Sequence, residues 1–303
     1  MLRELGVELR EVAERVGPAV VGLGRGWHPG SGVVVGEGRV LTNAHNLRGE
    51  EVTVTFGDGR RVPGTVLGAD EGLDVAVLET DTESLSPIEW APSESEPKAG
   101  DAVVALANPG GRGLRATLGF VSATDRGFRG PGGRRIRGCL EHSAPLPRGS
   151  SGGPLVDPEG RLLGLNAVRL GGGFIVAVAA DERLQRAVEA LSRGESTAPV
   201  RLGVAVAPPH VARRLRRAVG LPEAEGVLVR AVEEGGAADR AGVRQGDLIT
   251  AGAKRPIDAV DALHQTLDSL RPGDSLSLEV LRGTEKLELT VAFDQGLAEG
   301  AKR

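Results

Sequence analysis

Between residues 19 and 180 the sequence is a succession of short apolar segments separated by glycine-containing turns. The segments are rich in valine and leucine, and turn residues such as 57–59 (GDG) bound them. No helical pattern alternates with them, which argues against a parallel α/β sheet. Such a sequence predicts an all-β sandwich or barrel. The strands are expected at residues 19–23, 32–35, 40–42, 52–56, 62–67, 75–78, 102–107, 118–122, 161–168 and 174–179.

The remaining segments predict two helices and a second domain. Residues 2–16 carry apolar side chains at helical spacing and end at Gly17-Pro18, which predicts an amphipathic helix. A second helix is expected at 181–192, with Asp181 as its N-cap. The domains expected are an N-terminal helix (1–18), a β domain (19–192), a polar linker (193–199), an α+β domain (200–294) and a polar tail (295–303).

Charge and composition exclude several classes of function. The net charge is −4 with both signs interspersed, so nucleic acid is not an expected partner. Cys139 is the single cysteine, so no intramolecular disulfide can form. The histidines are scattered, so a metal site is not expected, and no cofactor is expected either. No apolar segment is long enough for a signal peptide or a membrane span. The sequence as it stands predicts a cytoplasmic protein, and a truncated start would allow a periplasmic or membrane-associated one.

Residues 147–155 (PRGSSGGPL) form the most distinctive loop of the chain. Glycine lets backbone N–H groups approach a ligand closely, and proline prevents the segment from becoming a helix or a central strand. A rigid loop with an exposed hydroxyl suits a serine nucleophile with backbone donors beside it. Taken alone, the loop fits an ordinary polar turn equally well. Ser150 and Ser151 are the two candidate nucleophiles.

A serine nucleophile needs a base, and the base needs a carboxylate to orient it. His45 follows an apolar strand and starts a polar turn, so its side chain is expected to be exposed. Asp74 stands at the edge of an apolar strand, where a carboxylate must be paired. Asp70 and Asp101 are in more polar surroundings and are less favoured. The chain order His45, Asp74, serine is the order found in chymotrypsin-type β-barrels.

These motifs resemble the HtrA/Deg family of serine proteases. The resemblance covers most of the first 190 residues and implies a chymotrypsin/trypsin-like double β-barrel with a PDZ domain at 200–294. It is carried by residues 30–32 (GSG), 41–45 (LTNAH), 73–78 (LDVAVL), 119–122 (GFVS) and 149–155 (GSSGGPL).

The resemblance also implies a mechanism. The nucleophile of the family directly precedes Gly-Gly-Pro, which assigns that role to Ser151. His45 would act as the base, Asp74 would orient it, and the N–H groups of Gly149 and Ser151 would form the oxyanion hole. The implied activity is ATP-independent cleavage of unfolded or damaged polypeptides, in protein quality control and the stress response. By the same resemblance, Leu146 and residues 171–175 would flank the first specificity pocket. None of them is acidic, so a small or apolar side chain is expected before the cleaved bond.

The C-terminal domain resembles a peptide-binding PDZ domain. Leu202, Gly203 and Val204 match its carboxylate-binding turn, whose N–H groups and strand edge would bind a C-terminal or extended peptide. Leu263 and Leu267 could either line the side-chain pocket of that site or belong to the core. A homotrimer is also implied as a possibility, since trimers are typical of the family.

The sequence departs from the family at several positions. Ser150 replaces the usual Asn, Gly111 stands where Phe is common, and 142–147 (HSAPLP) replaces a segment that commonly reads Thr-Asp-Ala-x-Ile-Asn. These substitutions motivate an alternative, a catalytically silent or rarely activated homologue acting as a peptide-binding or chaperone protein. A Cys139 nucleophile paired with His142 is disfavoured, because residues three apart on a strand point to opposite faces.

Overall fold

The fold comes from a computed structural model, which describes residues 2–24, 29–92, 95–130, 135–195, 200–270 and 273–293. The chain divides into two compact units, Met1–Ala198 and Pro199–Arg303. This division falls inside the linker expected at 193–199. Residues 196–199 of that linker and the expected tail, 295–303, lie outside the described residues.

The first unit contains every strand that the sequence predicts, and the expected fold class is confirmed. Its helices are α1 (Leu2–Val16) and α2 (Glu182–Ser192), and its strands are β1 (Val20–Leu23), β2 (Gly30–Gly36), β3 (Arg39–Thr42), β4 (Glu51–Thr55), β5 (Arg61–Asp70), β6 (Val75–Glu79), β7 (Ala102–Ala107), β8 (Arg115–Arg129), β9 (Arg135–His142), β10 (Pro154–Val156), β11 (Leu162–Arg169) and β12 (Ile175–Ala179). Strands β9 and β10 are additional to the expected set.

The strands of the first unit form two closed antiparallel barrels. The first barrel has the strand order β1-β2-β3-β6-β5-β4, and the second has the order β10-β11-β12-β9-β8-β7. Closure leaves no unpaired edge within either barrel. Because aromatic residues make up only 2% of the chain, leucine and valine fill the interiors. Leu41 and Leu78 are fully buried in the first barrel, as are Leu106 and Leu155 in the second.

The two helices of this unit pack on the barrels. Helix α1 lies against β7 and β8 and buries Val12 and Val16. Helix α2 begins as the sequence predicts, because the Asp181 carboxylate accepts a hydrogen bond from the Leu184 N–H. It lies against β5 and β6 and buries Leu184 and Leu191.

The second unit is an α+β domain built on one antiparallel sheet. The sheet order is β13-β14-β15-β17-β18, with the short β16 beside β15. Strand β13 stands at the end of this order, so one of its edges pairs with no other strand among the described residues. The elements are β13 (Val204–Ala207), α3 (Pro209–Ala218), β14 (Val227–Val232), α4 (Ala237–Arg240), β15 (Leu248–Gly252), β16 (Arg255–Pro256), α5 (Val260–Asp268), β17 (Ser275–Arg282) and β18 (Glu285–Ala292).

Candidate active site

The site takes two of its residues from the first barrel and one from the second. His45 lies in a single helical turn directly after β3, and Asp74 directly precedes β6. Since β3 and β6 are paired, with Thr42 opposite Ala76, the ends of these strands place the two residues side by side. Ser151 lies in the loop that leads into β10.

Asp74 holds the His45 ring and backbone at the same time. Its Oδ2 is 2.6 Å from Nδ1 of His45, and its Oδ1 accepts the His45 backbone N–H at 3.0 Å. Asp74 is fully buried, whereas about a third of the His45 side chain (34%) is exposed. A carboxylate only accepts hydrogen bonds, so Nδ1 carries the proton and Nε2 is left as the basic nitrogen. The ring is thus oriented as a proton acceptor.

The backbone at Asp74 is in a strained conformation that its neighbours stabilise. Its φ of 55° is in the left-handed region, which costs energy for a residue with a Cβ. The Asn43 amide nitrogen and the Ala44 N–H both donate to the Asp74 carbonyl oxygen, at 2.8 and 3.2 Å. Strain of this kind persists only where surrounding contacts over-determine it, and such places are often functional.

The main chain of Ser151 is attached to the first barrel. Its carbonyl oxygen accepts hydrogen bonds from the Ser31 N–H at 2.9 Å and from the Asn46 amide nitrogen at 2.8 Å. Asn46 is the residue after His45, so Ser151 is held beside the histidine turn. The Ser151 hydroxyl donates to the Ala167 carbonyl oxygen at 2.6 Å, rather than to the His45 ring. Transfer of its proton to His45 therefore requires a rotation about χ1 of Ser151.

The loop before Ser151 offers two free backbone donors. Within the described residues, neither the N–H of Gly149 nor that of Ser151 donates to a protein acceptor. The Gly149 carbonyl oxygen accepts the Ser31 hydroxyl at 2.9 Å. The Ser150 hydroxyl donates to the Pro147 carbonyl oxygen at 2.8 Å and so closes the turn locally. These contacts leave both N–H groups available to an anionic oxygen.

An open cavity of about 470 Å³ lies beside Ser151. Its apolar lining includes Leu146, Val168 and Ile175, and Arg148 and Arg169 also contribute to it. None of the described residues that line it carries a carboxylate. The cavity can therefore hold a small or apolar side chain, and it has no group to pair with Lys or Arg.

The turn expected to bind a peptide carboxylate comes just before β13. Gly203 has a φ of 76°, and its carbonyl oxygen accepts the Glu233 N–H, while that of Leu202 accepts the Ala238 N–H. In the described part of the chain, the N–H groups of Leu202 and Gly203 donate to no protein acceptor. Val204 then begins β13, the strand with a free edge. The turn and the edge together can bind the end of an extended peptide.

Other sequence candidates lie elsewhere. Leu263 and Leu267 are buried in the core of the second unit. Asp70 accepts the Leu73 N–H, and Asp101 accepts the Lys98 N–H, so each caps its own turn.

The surroundings of Cys139 also argue against it as a nucleophile, the role that the sequence disfavours. Burial raises the pKa of the Cys139 thiol to about 12, so the thiolate is not accessible at neutral pH. The His142 imidazole contacts Asn166 instead. No cluster of metal-ligating side chains occurs among the described residues. Of the helices in the described ranges, none is both long and apolar enough to cross a membrane.

Sequence reasoning missed most of the residues that hold the Ser151 loop in place. Asn46, Asn166 and Ala167 all contact the Ser151 loop, and none was a candidate. Only Ser31 had a signal, because it belongs to the GSG motif at 30–32.

Known proteins share this combination of domains. A family model described as a trypsin-like peptidase domain matches residues 30–165, and a PDZ domain model matches residues 200–293. The chain is 32% identical over 269 residues to a DegP-like periplasmic serine endoprotease of Halomonas elongata, covering 86% of this chain and 55% of that protein. It is 33% identical over 281 residues to HhoA of Synechocystis sp., named as a serine protease, covering 88% of this chain and 70% of that one.

A solved structure is similar over both units of the chain. It is titled as the HtrA-type protease AlgW with a decapeptide, and it matches with a TM-score of 0.69 and 26% identity over 94% of this chain and 97% of that one. The fold and the domain matches define a trypsin-like peptidase domain followed by a PDZ domain. The chain belongs to the HtrA/Deg family of serine proteases. It spans 55% to 70% of the length of the two curated relatives named above.

Proposed function

We propose that this chain is an ATP-independent serine endopeptidase that cleaves unfolded or damaged polypeptides. The observation that carries the proposal is the Asp74–His45 pair, with the Ser151 backbone attached to the neighbouring Asn46. Its relatives carry serine protease names, which supports the same activity. Its cellular role would be protein quality control under stress.

In the proposed reaction, Ser151 attacks a peptide carbonyl. The hydroxyl leaves the Ala167 carbonyl oxygen, rotates towards His45 and gives its proton to Nε2. Asp74 keeps Nδ1 protonated and stabilises the imidazolium that forms. The N–H groups of Gly149 and Ser151 stabilise the negative charge that develops on the carbonyl oxygen. His45 then protonates the leaving amine, and water repeats the sequence on the acyl-enzyme.

A fluorophosphonate probe tests the nucleophile. We expect the wild-type chain to be labelled covalently at Ser151 and the Ser151→Ala variant to be unlabelled, because the backbone of Ser151 is held beside the His45 turn by Asn46. The matched control is Ser150→Ala, which removes the neighbouring hydroxyl and should retain labelling.

A second test concerns the specificity of cleavage. Unfolded casein should be cut mainly after small or apolar residues. An unlabelled wild-type protein would contradict the enzyme proposal, and cuts mainly after Lys or Arg would contradict the pocket assignment.

A catalytically silent peptide-binding or chaperone homologue is the alternative. The Ser151 hydroxyl bonded to the Ala167 carbonyl oxygen is the observation that favours it. Family membership does not favour it. In the probe experiment, this alternative predicts no labelling with or without an added C-terminal peptide.

We also propose that Leu202, Gly203 and Val204 bind the carboxyl end of a peptide. An apolar C-terminal peptide should bind the full-length Ser151→Ala protein, and its C-terminal amide should bind at least about tenfold more weakly, since the amide removes a charge-assisted hydrogen bond. Gly203→Ala should weaken binding, because an alanine at a φ of 76° distorts the turn. Gly220→Ala, at a φ of 73° with no neighbouring atom within 4 Å, is the control. Fluorescence anisotropy measures both, and equal affinity for acid and amide would contradict the proposal.

Two family traits stay predictions for this chain. The homotrimer rests only on the resemblance. The compartment also stays a prediction, since the sequence predicts a cytoplasmic protein and the Halomonas elongata relative is named as periplasmic.

A further inference from the structure

A buried polar pair lies behind the Ser151 loop. His142 is the last residue of β9 and lies opposite Ile175 of β12. Asn166 lies in β11, which pairs with the other side of β12. Both side chains are withdrawn from solvent, with 0% of His142 and 1% of Asn166 exposed. The His142 Nε2 atom lies 2.9 Å from the Asn166 side-chain oxygen. Buried polar groups of this kind are kept where each one is hydrogen-bonded.

Asn166 holds the segment that directly follows Ser151. Its amide nitrogen donates to the carbonyl oxygens of Gly153 and Pro154, at 2.9 and 3.1 Å. Its backbone N–H also donates to the Gly153 carbonyl oxygen, and its backbone carbonyl oxygen accepts the Gly152 N–H at 2.7 Å. Since residues 152–154 continue the chain from the candidate nucleophile, the position of Ser151 depends on the position of Asn166.

These contacts determine which ring nitrogen of His142 carries the hydrogen. Both Asn166 amide hydrogens are used by carbonyl groups, so its side-chain oxygen is the atom that faces His142. The His142 Nε2 atom must therefore be the donor. Its Nδ1 is buried and has no hydrogen-bond partner among the described residues. Burial lowers the pKa of the His142 imidazole to about 4, against a smaller opposing effect of the Asn166 hydrogen bond, so the ring is neutral at neutral pH.

We propose that His142 is a positioning residue for the reaction: its Nε2–H fixes the Asn166 carboxamide, which in turn holds residues 152–154 and the Ser151 backbone. The inference rests on the proposed endopeptidase function. His142 stands where the family commonly has Thr, so an imidazole donor replaces a hydroxyl at this position. It touches no reacting atom and acts only through Asn166.

Two amide variants of His142 distinguish the loss of the Nε2–H donor from a change in side-chain size. The Nε2 of Gln is as many bonds from Cα as the Nε2 of His, whereas the amide nitrogen of Asn replaces Nδ1, which has no partner. On fluorescein-labelled casein, we expect His142→Gln to keep kcat within about threefold of wild type and His142→Asn to lower kcat about tenfold, the equivalent of one buried hydrogen bond. KM should change less than kcat, because Leu146, Val168 and Ile175 still line the cavity.

A double-mutant cycle tests the route through Asn166. In an Asn166→Ala background, the further substitution His142→Asn should reduce activity little, because the Asn166 carboxamide that His142 orients is already absent. Equal activity of the Gln and Asn variants would overturn the inference, and so would an undiminished effect of His142→Asn in that background.

Nuclear magnetic resonance of ¹⁵N-histidine in the full-length protein gives a readout that is independent of activity. We expect His142 as the Nε2–H tautomer, with that preference lost in Asn166→Ala. A wild-type protein that the fluorophosphonate does not label would refute the proposed function. The observed tautomer of His142 would still show whether its Nε2–H donates to Asn166. A His142 protonated at Nδ1 alone would overturn the inference even in an active enzyme.

Discussion

Replacing Asp74 by Asn is expected to lower kcat/KM on casein by about 10⁴-fold while leaving the protein folded. The Asp74 carboxylate accepts from both the His45 ring and the His45 backbone N–H. An Asn amide that keeps one of these contacts presents an NH₂ group to Nδ1. The ring must then carry its proton on Nε2, where it cannot accept one from Ser151. Asn also suits the φ of 55°, because it tolerates the left-handed region better than most residues.

The control for this prediction is Asp101, an aspartate in a polar turn. Asp101→Asn removes a charge that only caps the Lys98 N–H, so activity should stay within about twofold. Casein hydrolysis, with circular dichroism to confirm folding, measures both variants. A folded Asp74→Asn protein with more than about a tenth of wild-type activity would show that His45 does not depend on this carboxylate.

The barrels could be predicted from sequence because most of their strands contain short apolar runs rich in valine and leucine. Strand β7, at Ala102–Ala107, has the bounds that the sequence predicts. Strand β9 was absent from the expected set because arginines and Gly138 interrupt its apolar pattern. Strand β10, Pro154–Val156, is too short to show a pattern and begins with a proline. Both exist because neighbouring strands of the second barrel pair with them, which is a tertiary effect.

The candidate site was predictable only where local sequence determines it. His45 and Asp74 each stand at the end of an apolar strand, and the serine loop has its own glycine pattern. The Asn46–Ser151 contact joins residues 105 positions apart and depends on how the two barrels pack. Likewise, nothing local distinguishes Ala167, whose carbonyl oxygen holds the Ser151 hydroxyl. Whether the serine rests against His45 or against a carbonyl group is therefore a property of the folded loop.

The second large effect is expected at Gly152, where Ala should lower both stability and activity. An added Cβ would lie 2.1 Å from the Ser31 carbonyl oxygen and 2.5 Å from the Thr42 hydroxyl, far inside contact distance. Both atoms belong to the first barrel, so relief requires the Ser151 loop to move away from His45. We expect a loss of about 3 kcal/mol in the free energy of unfolding, from overpacking and backbone strain together. A shift of about 1 Å in the loop would lower kcat about a hundredfold.

Gly59 provides a control that separates steric overlap from backbone strain. Gly59 and Gly152 share a φ of 89°, but an added Cβ at Gly59 meets no atom within 4 Å. Gly59→Ala should therefore cost only the left-handed strain of about 1–2 kcal/mol and leave casein hydrolysis unchanged. Urea unfolding of both variants gives the difference that is due to contact between the barrels. If the two variants lose the same stability, the barrels do not constrain this position, and the glycine after Ser151 is required only for its backbone conformation.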